Sequence, residues 1–344
     1  MVASGSGVFE QVVQAVNGRL DTFLREQEQL AAAISPRAPE LVEALGALTR
    51  RGGKRLRPVV LYAGYRAAGG GESIAPTLDA CAALELLQTY LLIQDDWMDG
   101  DDERRGGPSV HAALRRAHGD AHLGESLAML AADLAAGFAF ELIARAPFPS
   151  ARLHEALAAF GRMHFEVVCG QQLDLCKHDD VALTHQLKTG SYTVRGPLAL
   201  GALLAGASSA QLAALERFGA PVGVAFQLRD DLLGTFGDKA AVGKPVGADL
   251  RAGKRTALIA EAYAILPSHE REALECVLGK PHASDADVHV ATTLLERCGA
   301  RRRVESRLDG LERAAREALE DGSLAPEGRT LLAGLLDALL RRDA

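Results

Sequence analysis

Two short runs of carboxylates have the spacing in this chain that most clearly implies chemistry. The apolar stretch from Leu84 ends in Asp95, Asp96 and Asp99. On a helix, Asp95 and Asp99 share one face, with Cβ atoms about 6 Å apart. Two carboxylates held that close repel each other unless a cation lies between them. Hard oxygen donors at this spacing suit Mg2+, which keeps several waters and takes substrate phosphate oxygens as well. Arg104 and Arg105 follow, and acid beside Arg at the mouth of an apolar core is what a magnesium–diphosphate site needs. The run from Val222 repeats the arrangement, ending in Asp230 and Asp231, with Lys244, Lys254 and Arg255 further on. Either run alone reads equally well as a solvated helix end. Two of them, on facing helices, would clamp several metals.

A third segment, Arg51-Gly52-Gly53-Lys54-Arg55-Leu56-Arg57-Pro58, sets several cations around two glycines at a helix start. Glycine lets backbone approach an anion, and a helix N-terminus adds positive potential. The spacing of a P-loop is absent. Beside two magnesium-type clusters, this loop reads as a second diphosphate site that needs no metal of its own.

The elements that must position these groups are helices. The chain has 344 residues, 48% hydrophobic and only 5% aromatic, and it is rich in Ala, Leu, Glu and Arg, a composition that favours helix over sheet. Apolar residues recur at three- and four-residue spacing between breakers such as Ser35-Pro36, Gly69-Gly70-Gly71, Gly106-Gly107-Pro108, Gly196-Pro197 and Pro267. No linker or repeat divides the chain, so residues 1–344 read as one helical domain. The stretches Ala75 to Asp99 and Ser150 to Asp174 are apolar on more than one face and are expected at its centre. Leu123 to Ala144 is the most apolar stretch, but Glu125, Asp133 and Glu141 interrupt it, so it reads as a buried helix and not a membrane span.

A net charge of −7 gives no general attraction to nucleic acid. Five cysteines with no CxxC pair argue against a disulfide framework or zinc site and for buried reduced thiols. With no basic region and apolar core at the N-terminus, the expected location is the cytoplasm. No Ser/His/Asp or Cys/His constellation is visible among the ten histidines, and His111, His164 and His178 read as structural or exposed.

The GGKRLRP loop, the DDWMDGDDERRG segment and the FQLRDD segment, in this order, resemble the trans-isoprenyl (polyprenyl) diphosphate synthases. The resemblance covers residues 10 to 340. It implies an all-α isoprenoid-synthase bundle around a deep central cavity, a homodimer, and Mg2+, three ions per active site. It implies isopentenyl diphosphate contacts at Lys54, Arg57 and Arg105, and at Gln88, where the family often has His. Metal ligands are implied at Asp95, Asp99 and Asp230, with Asp96 and Asp231 beside them. Allylic diphosphate contacts are implied at Arg104, Lys188, Lys244 and Lys254, with Lys188, Thr189 and Gln227 near the developing cation. The chain departs from the pattern at Gly234, where many members carry a third aspartate.

The implied reaction joins isopentenyl diphosphate to an allylic diphosphate by ionisation, condensation and elimination. A terpene cyclase would lack the basic loop, and a non-catalytic partner subunit would have lost an aspartate motif. Leu91 and Leu87 lie one and two turns before Asp95 on nearly the same face. The family places a bulky residue five before the first aspartate at the floor of the tail pocket, here Tyr90. One aromatic there points to geranylgeranyl diphosphate as product, with farnesyl diphosphate the runner-up.

Overall fold

A computed structural model describes residues 5–178, 180–237 and 246–340. Apart from a pair of two-residue strands, the regular elements among them are helical. In chain order they are α1 (Gly5–Ile34), α2 (Pro39–Arg50), α3 (Leu56–Ala67), α4 (Leu78–Asp99), β1 (Glu103–Arg104), β2 (Gly107–Pro108), α5 (Val110–His118), α6 (Ala121–Arg145), α7 (Ser150–Leu175) and α8 (Val181–His185). A π-helical segment (Gln186–Arg195), α9 (Gly196–Ala205), α10 (Ser209–Phe236), α11 (Ala248–Arg251), α12 (Ala257–Ile265), α13 (Ser268–Glu275), α14 (Asp285–Arg297), α15 (Ala300–Ala318) and α16 (Pro326–Leu340) follow.

The chain divides into two compact units. The first comprises residues 1–164, 196–212 and 324–332, the second 165–195, 213–323 and 333–344. In the first, α4 packs on α6, α6 on α5, and α3 on α9. Small residues bring α3 and α9 to backbone contact. A Cβ built at Gly64 would lie 2.9 Å from Leu198 Cα, and one at Gly201 would lie 2.8 Å from the Tyr65 nitrogen. The core of this unit includes Phe23, Leu45, Leu48, Leu61, Leu84, Leu86 and Leu87. α4 is buried nearly all round from Ala80 to Tyr90, as a central helix should be. In the second unit a separate apolar cluster joins Leu250, Ile259, Leu266, Leu274, Val288 and Leu295.

Local chemistry sets the element ends. Asp120 caps α6 by accepting from the Leu123 N–H at 3.0 Å, Thr256 caps α12, and Ser284 with Asp287 forms a capping box on α14. Gly100 ends α4 one residue after Asp99 by taking the left-handed conformation at φ 71°.

Four expectations change. Arg105 (φ 53°) and Gly106 (φ 70°) form the two-residue turn of a small antiparallel hairpin pairing Glu103 with Pro108, where only a break in helix was read; two successive positive φ angles match strand twist. α7 is not all-round core, because Phe165 is 69% exposed and Val168 and Leu175 are also exposed. α6 is long and apolar enough to cross a membrane by length and composition. It buries only one face, built largely of small residues such as Ala128, Ala131, Ala132, Ala135 and Ala139, leaving Leu123 and Leu130 exposed. Of the five free thiols only Cys81 is buried, while Cys176 and Cys276 are exposed.

Candidate active site

One group of the expected residues is carried by the end of α4, the hairpin and the loop before α3, all within the first unit. α4 delivers Asp95, half-buried, and Asp99, exposed, one turn apart at its C-terminal end. Asp96 points inward, is 0% exposed, and accepts from Arg104 Nε at 2.6 Å. Burial pushes the Asp96 carboxyl above the usual carboxylate range, and Arg104 opposes that. Arg104 also reaches Asp101 at 3.2 Å and Asp95 at 3.8 Å. Burial works against its charge, yet the three aspartates hold its guanidinium above its ordinary value. A cation therefore already lies against this carboxylate set and offsets part of its negative charge.

The structure gives two arginines of the basic loop partners that the sequence does not show. Arg51 donates through Nη1 to the carbonyls of Arg104 (3.0 Å) and Pro108 (2.7 Å), tying the loop to the hairpin. Arg55 is spent on a buried ion pair with Glu85 at 2.6 Å, both side chains 3% exposed. It donates further to Asn17 (2.9 Å) and to the Thr49 carbonyl (2.7 Å). Lys54 is exposed, and Arg57 and Arg105 are half-buried. A Cβ at Gly53 would lie 3.0 Å from the Arg105 guanidinium, so glycine is what allows the two segments to meet. Burial lowers the Arg105 pKa, and Arg55, Arg57 and Arg104 lower it further against Glu85. Arg105 thus sits among other guanidiniums, with Glu85 the carboxylate acting on it in the opposite sense. Gln88 lies in the same unit, buried on α4.

Another group of the expected residues lies in the second unit. α10 presents Asp230 exposed and Asp231 buried. The Asp231 oxygens are both engaged, by Gln227 Nε2 at 2.8 Å and by the Ala257 N–H at 2.9 Å. Burial raises the Asp231 pKa. Asp231 thus orients Gln227 and pins the start of α12, while Asp230 keeps the outward position. Lys188 and Thr189 lie on the π-helical segment. This wide turn packs at glycines, with Gly170 against the Lys188 backbone and Gly190 against Gly223, and Ser191 donates to Glu166 at 2.6 Å. Nothing in the sequence reading pointed to it, although π-helical turns recur at functional sites. Lys188 contacts Asp174 at 2.6 Å. Lys254 contacts Asp249 at 3.1 Å. Burial pulls its pKa down, but Asp249 and Asp230 hold it above the ordinary value. Asp249 was not singled out from the sequence. The position expected for Lys244 lies outside the described residues.

Among the described residues no three His, Cys, Asp or Glu side chains converge tightly enough to enclose a metal.

The sequence profile of the polyprenyl synthetase family matches residues 38–295. The chain belongs to the polyprenyl synthetase family. It is a trans-prenyltransferase, a short-chain isoprenyl diphosphate synthase. The crystal structure of a geranylgeranyl pyrophosphate synthase from Corynebacterium glutamicum, complexed with isoprenyl diphosphate and magnesium, is similar with a TM-score of 0.87 and 36% identity over 96% of this chain and 99% of that one. A short chain isoprenyl diphosphate synthase from Methanocaldococcus jannaschii is 31% identical over 83% of this chain and 82% of its own length. A farnesyl diphosphate synthase from Geobacillus stearothermophilus is 34% identical over 78% of this chain and 93% of its own. The all-α expectation and the family resemblance are borne out. The relatives differ in the product they are named for, so the length of the product is not settled by similarity.

Proposed function

We propose that this enzyme condenses isopentenyl diphosphate with an allylic diphosphate and releases geranylgeranyl diphosphate. The observation that supports the condensation most directly is the carboxylate set at the end of α4, with Arg104 against it and the basic loop tied to the same hairpin. Arg51 ties this loop to the hairpin, so Lys54 and Arg57 on the one segment and Arg105 on the other belong to one basic region suited to an anion. Asp95 and Asp99 at one helix end, and Asp230 at another, would hold Mg2+. The metal, when bound, offsets charge on the departing diphosphate.

Lys188 and Lys254, and Lys244 by resemblance, bind the allylic diphosphate with Arg104. The allylic C–O bond breaks, and its electron pair leaves with the diphosphate. The Thr189 hydroxyl and the Gln227 amide, which Asp231 orients, turn dipoles toward the cation left behind. Lys54, Arg57, Arg105 and Gln88 hold isopentenyl diphosphate while its double bond attacks that cation. The released diphosphate takes the proton that restores the double bond, so no side-chain base is needed.

Product length is read from α4. Leu87 is fully buried. The Tyr90 ring meets His164 edge-on at 5.1 Å, and His164 lies 5.9 Å from Phe140. This aromatic group, about a turn before Asp95, supports a floor of medium depth. The exposed apolar side chains of α6 and, separately, of α7 support a homodimer, and a monomer mass by light scattering would overturn it. The compartment proposed is the cytoplasm. The deciding experiment is incubation with isopentenyl diphosphate and dimethylallyl, geranyl or farnesyl diphosphate, followed by chromatography of the dephosphorylated products. A geranylgeraniol peak is the expected result. Farnesol alone would favour the runner-up, and no product from any substrate would overturn the reaction itself.

A further inference from the structure

Arg51 is not among the diphosphate contacts that the family pattern implies, yet its side chain crosses from the basic loop to the hairpin. Its Nη1 carries two hydrogens and meets two main-chain carbonyls, of Arg104 at 3.0 Å and of Pro108 at 2.7 Å. Arg104 lies on β1 and Pro108 on β2, so one side chain spans both strands. The guanidinium lies over the Gly107 backbone, its carbon 2.9 Å from where a Cβ there would stand. The Arg104 carbonyl belongs to the peptide that leads into Arg105. The bond from Arg51 therefore fixes the plane from which the Arg105 side chain departs.

The hairpin needs such a tie. A two-stranded hairpin is marginal on its own, and Pro108 has no N–H to give its partner Glu103. Arg105 stands at φ 53°, a left-handed conformation that a side chain of this size keeps only under constraint. Its guanidinium is held against the basic loop, 3.0 Å from where a Cβ at Gly53 would stand. Arg55, Arg57 and Arg104 act on it there as like charges, with Glu85 opposing them. Repulsion among these cations works to part the hairpin from the loop. Hydrogen bonds from Arg51 to neutral carbonyls hold the two together without adding a carboxylate that would compete with an anion. Arg115 fixes the foot of the hairpin separately, donating to both Asp102 oxygens at 2.8 Å.

We propose that Arg51 is a positioning residue for isopentenyl diphosphate, acting through Arg105. This rests on the reading that Arg105 contacts that substrate. Arg51 sets the peptide before Arg105 and so sets where the Arg105 guanidinium stands relative to Lys54 and Arg57. Arg104 depends on Arg51 less, because Asp96 and Asp101 hold its side chain at 2.6 and 3.2 Å. The tie is therefore selective. It serves the substrate held between loop and hairpin more than the diphosphate beside the α4 carboxylates.

The test is steady-state kinetics of the full-length enzyme at saturating Mg2+, alongside thermal unfolding. Isopentenyl diphosphate is varied against whichever of dimethylallyl, geranyl or farnesyl diphosphate is turned over fastest, and then the reverse. Arg51→Ala should raise the KM for isopentenyl diphosphate by about tenfold, the order of losing one charge-assisted hydrogen bond to phosphate, with kcat and the allylic KM changing by about twofold or less. Arg51→Lys keeps the charge but stops one bond short, and should raise that KM by less. Arg50→Ala removes the neighbouring charge, which pairs with Asp21 and Glu28, and should leave the KM alone. Arg51→Ala placed in Arg105→Ala should add little further, because the one acts through the other. The same cycle with Arg51→Lys decides the matter should Arg51→Ala not fold. Additive effects in the double variant would overturn the proposal, as would equal increases from Arg50→Ala and Arg51→Ala. So would a lowered unfolding temperature with an unchanged KM, the mark of a purely structural tie. An Arg105→Ala variant with an unchanged KM would overturn the reading of Arg105 as a substrate contact, and this inference with it.

Discussion

At the scale of single residues, identical side chains in one short segment serve different ends. Arg55 and Arg57 are two positions apart, yet Arg55 is locked in the interior with Glu85 at 2.6 Å. Removing one partner of a buried pair strands the other charge and costs about 3–5 kcal/mol. Arg55→Met or Glu85→Gln should each lower the urea unfolding midpoint by that order, and a nearly unchanged midpoint would show that the pair is not integral to the fold. Asp95 and Asp230 behave oppositely, because Asp95 is only half-buried and Asp230 is exposed, so both add little packing. Asp95→Ala or Asp230→Ala should cut turnover by about a thousandfold or more, in the range expected for losing metal-ion charge stabilisation. Far-UV circular dichroism should be unchanged. EDTA should abolish turnover, and full activity in its presence would exclude a divalent-metal mechanism.

At the scale of elements, close approach and floor geometry matter more than propensity. α3 and α9 touch through glycine, and a Cβ at Gly201 would overlap the Leu61 carbonyl. Gly201→Ala replaces a poor helix former by the best one, but the added carbon has no room. The expected net effect is destabilisation of about 1–3 kcal/mol, and a stabilised variant would show that the helices separate freely. On α4, Tyr90→Ala removes the ring that His164 meets edge-on and should open the tail pocket. Chromatography of dephosphorylated products should show one or more added five-carbon units. An unchanged distribution in a folded, active variant would place the floor elsewhere.

At the scale of the whole molecule, stability should depend on pH through His164. Burial lowers its pKa below the ordinary 6.5, and the rings facing it are Tyr90 and Phe140, neither positioned to compensate a positive charge. The unfolded chain then binds the proton more readily than the folded one. Stability is full above the ordinary value and falls as the pH drops through it toward the folded pKa. Buried Asp96 and Asp231, whose pKa values burial raises, act in the opposite sense. Between about pH 7.5 and pH 5.5, where His changes charge, the urea midpoint should fall, and it should fall less in His164→Phe. Equal decreases in both proteins would remove His164 as the cause.

What the sequence determined by itself is whatever depends on near neighbours along the chain. The spacing of Asp95 and Asp99, the glycine that ends α4, the breakers between helices and the order of the three charged segments are local. Helix geometry turns such spacing into shared faces without reference to the rest of the fold, so the helical class and the family were legible. The tertiary structure alone decided which charges are occupied. Arg55 meets Glu85, Arg51 meets the hairpin carbonyls, Asp231 meets Ala257, and Asp249 covers Gly234. Each of these contacts joins residues well separated in sequence, and a charge reads the same in sequence whether its partner is a bound anion or a buried carboxylate. The π-helical turn at Lys188 and the exposed flank of α7 were illegible for a related reason. Both depend on what lies, or does not lie, against the helix, and periodicity records only the helix itself.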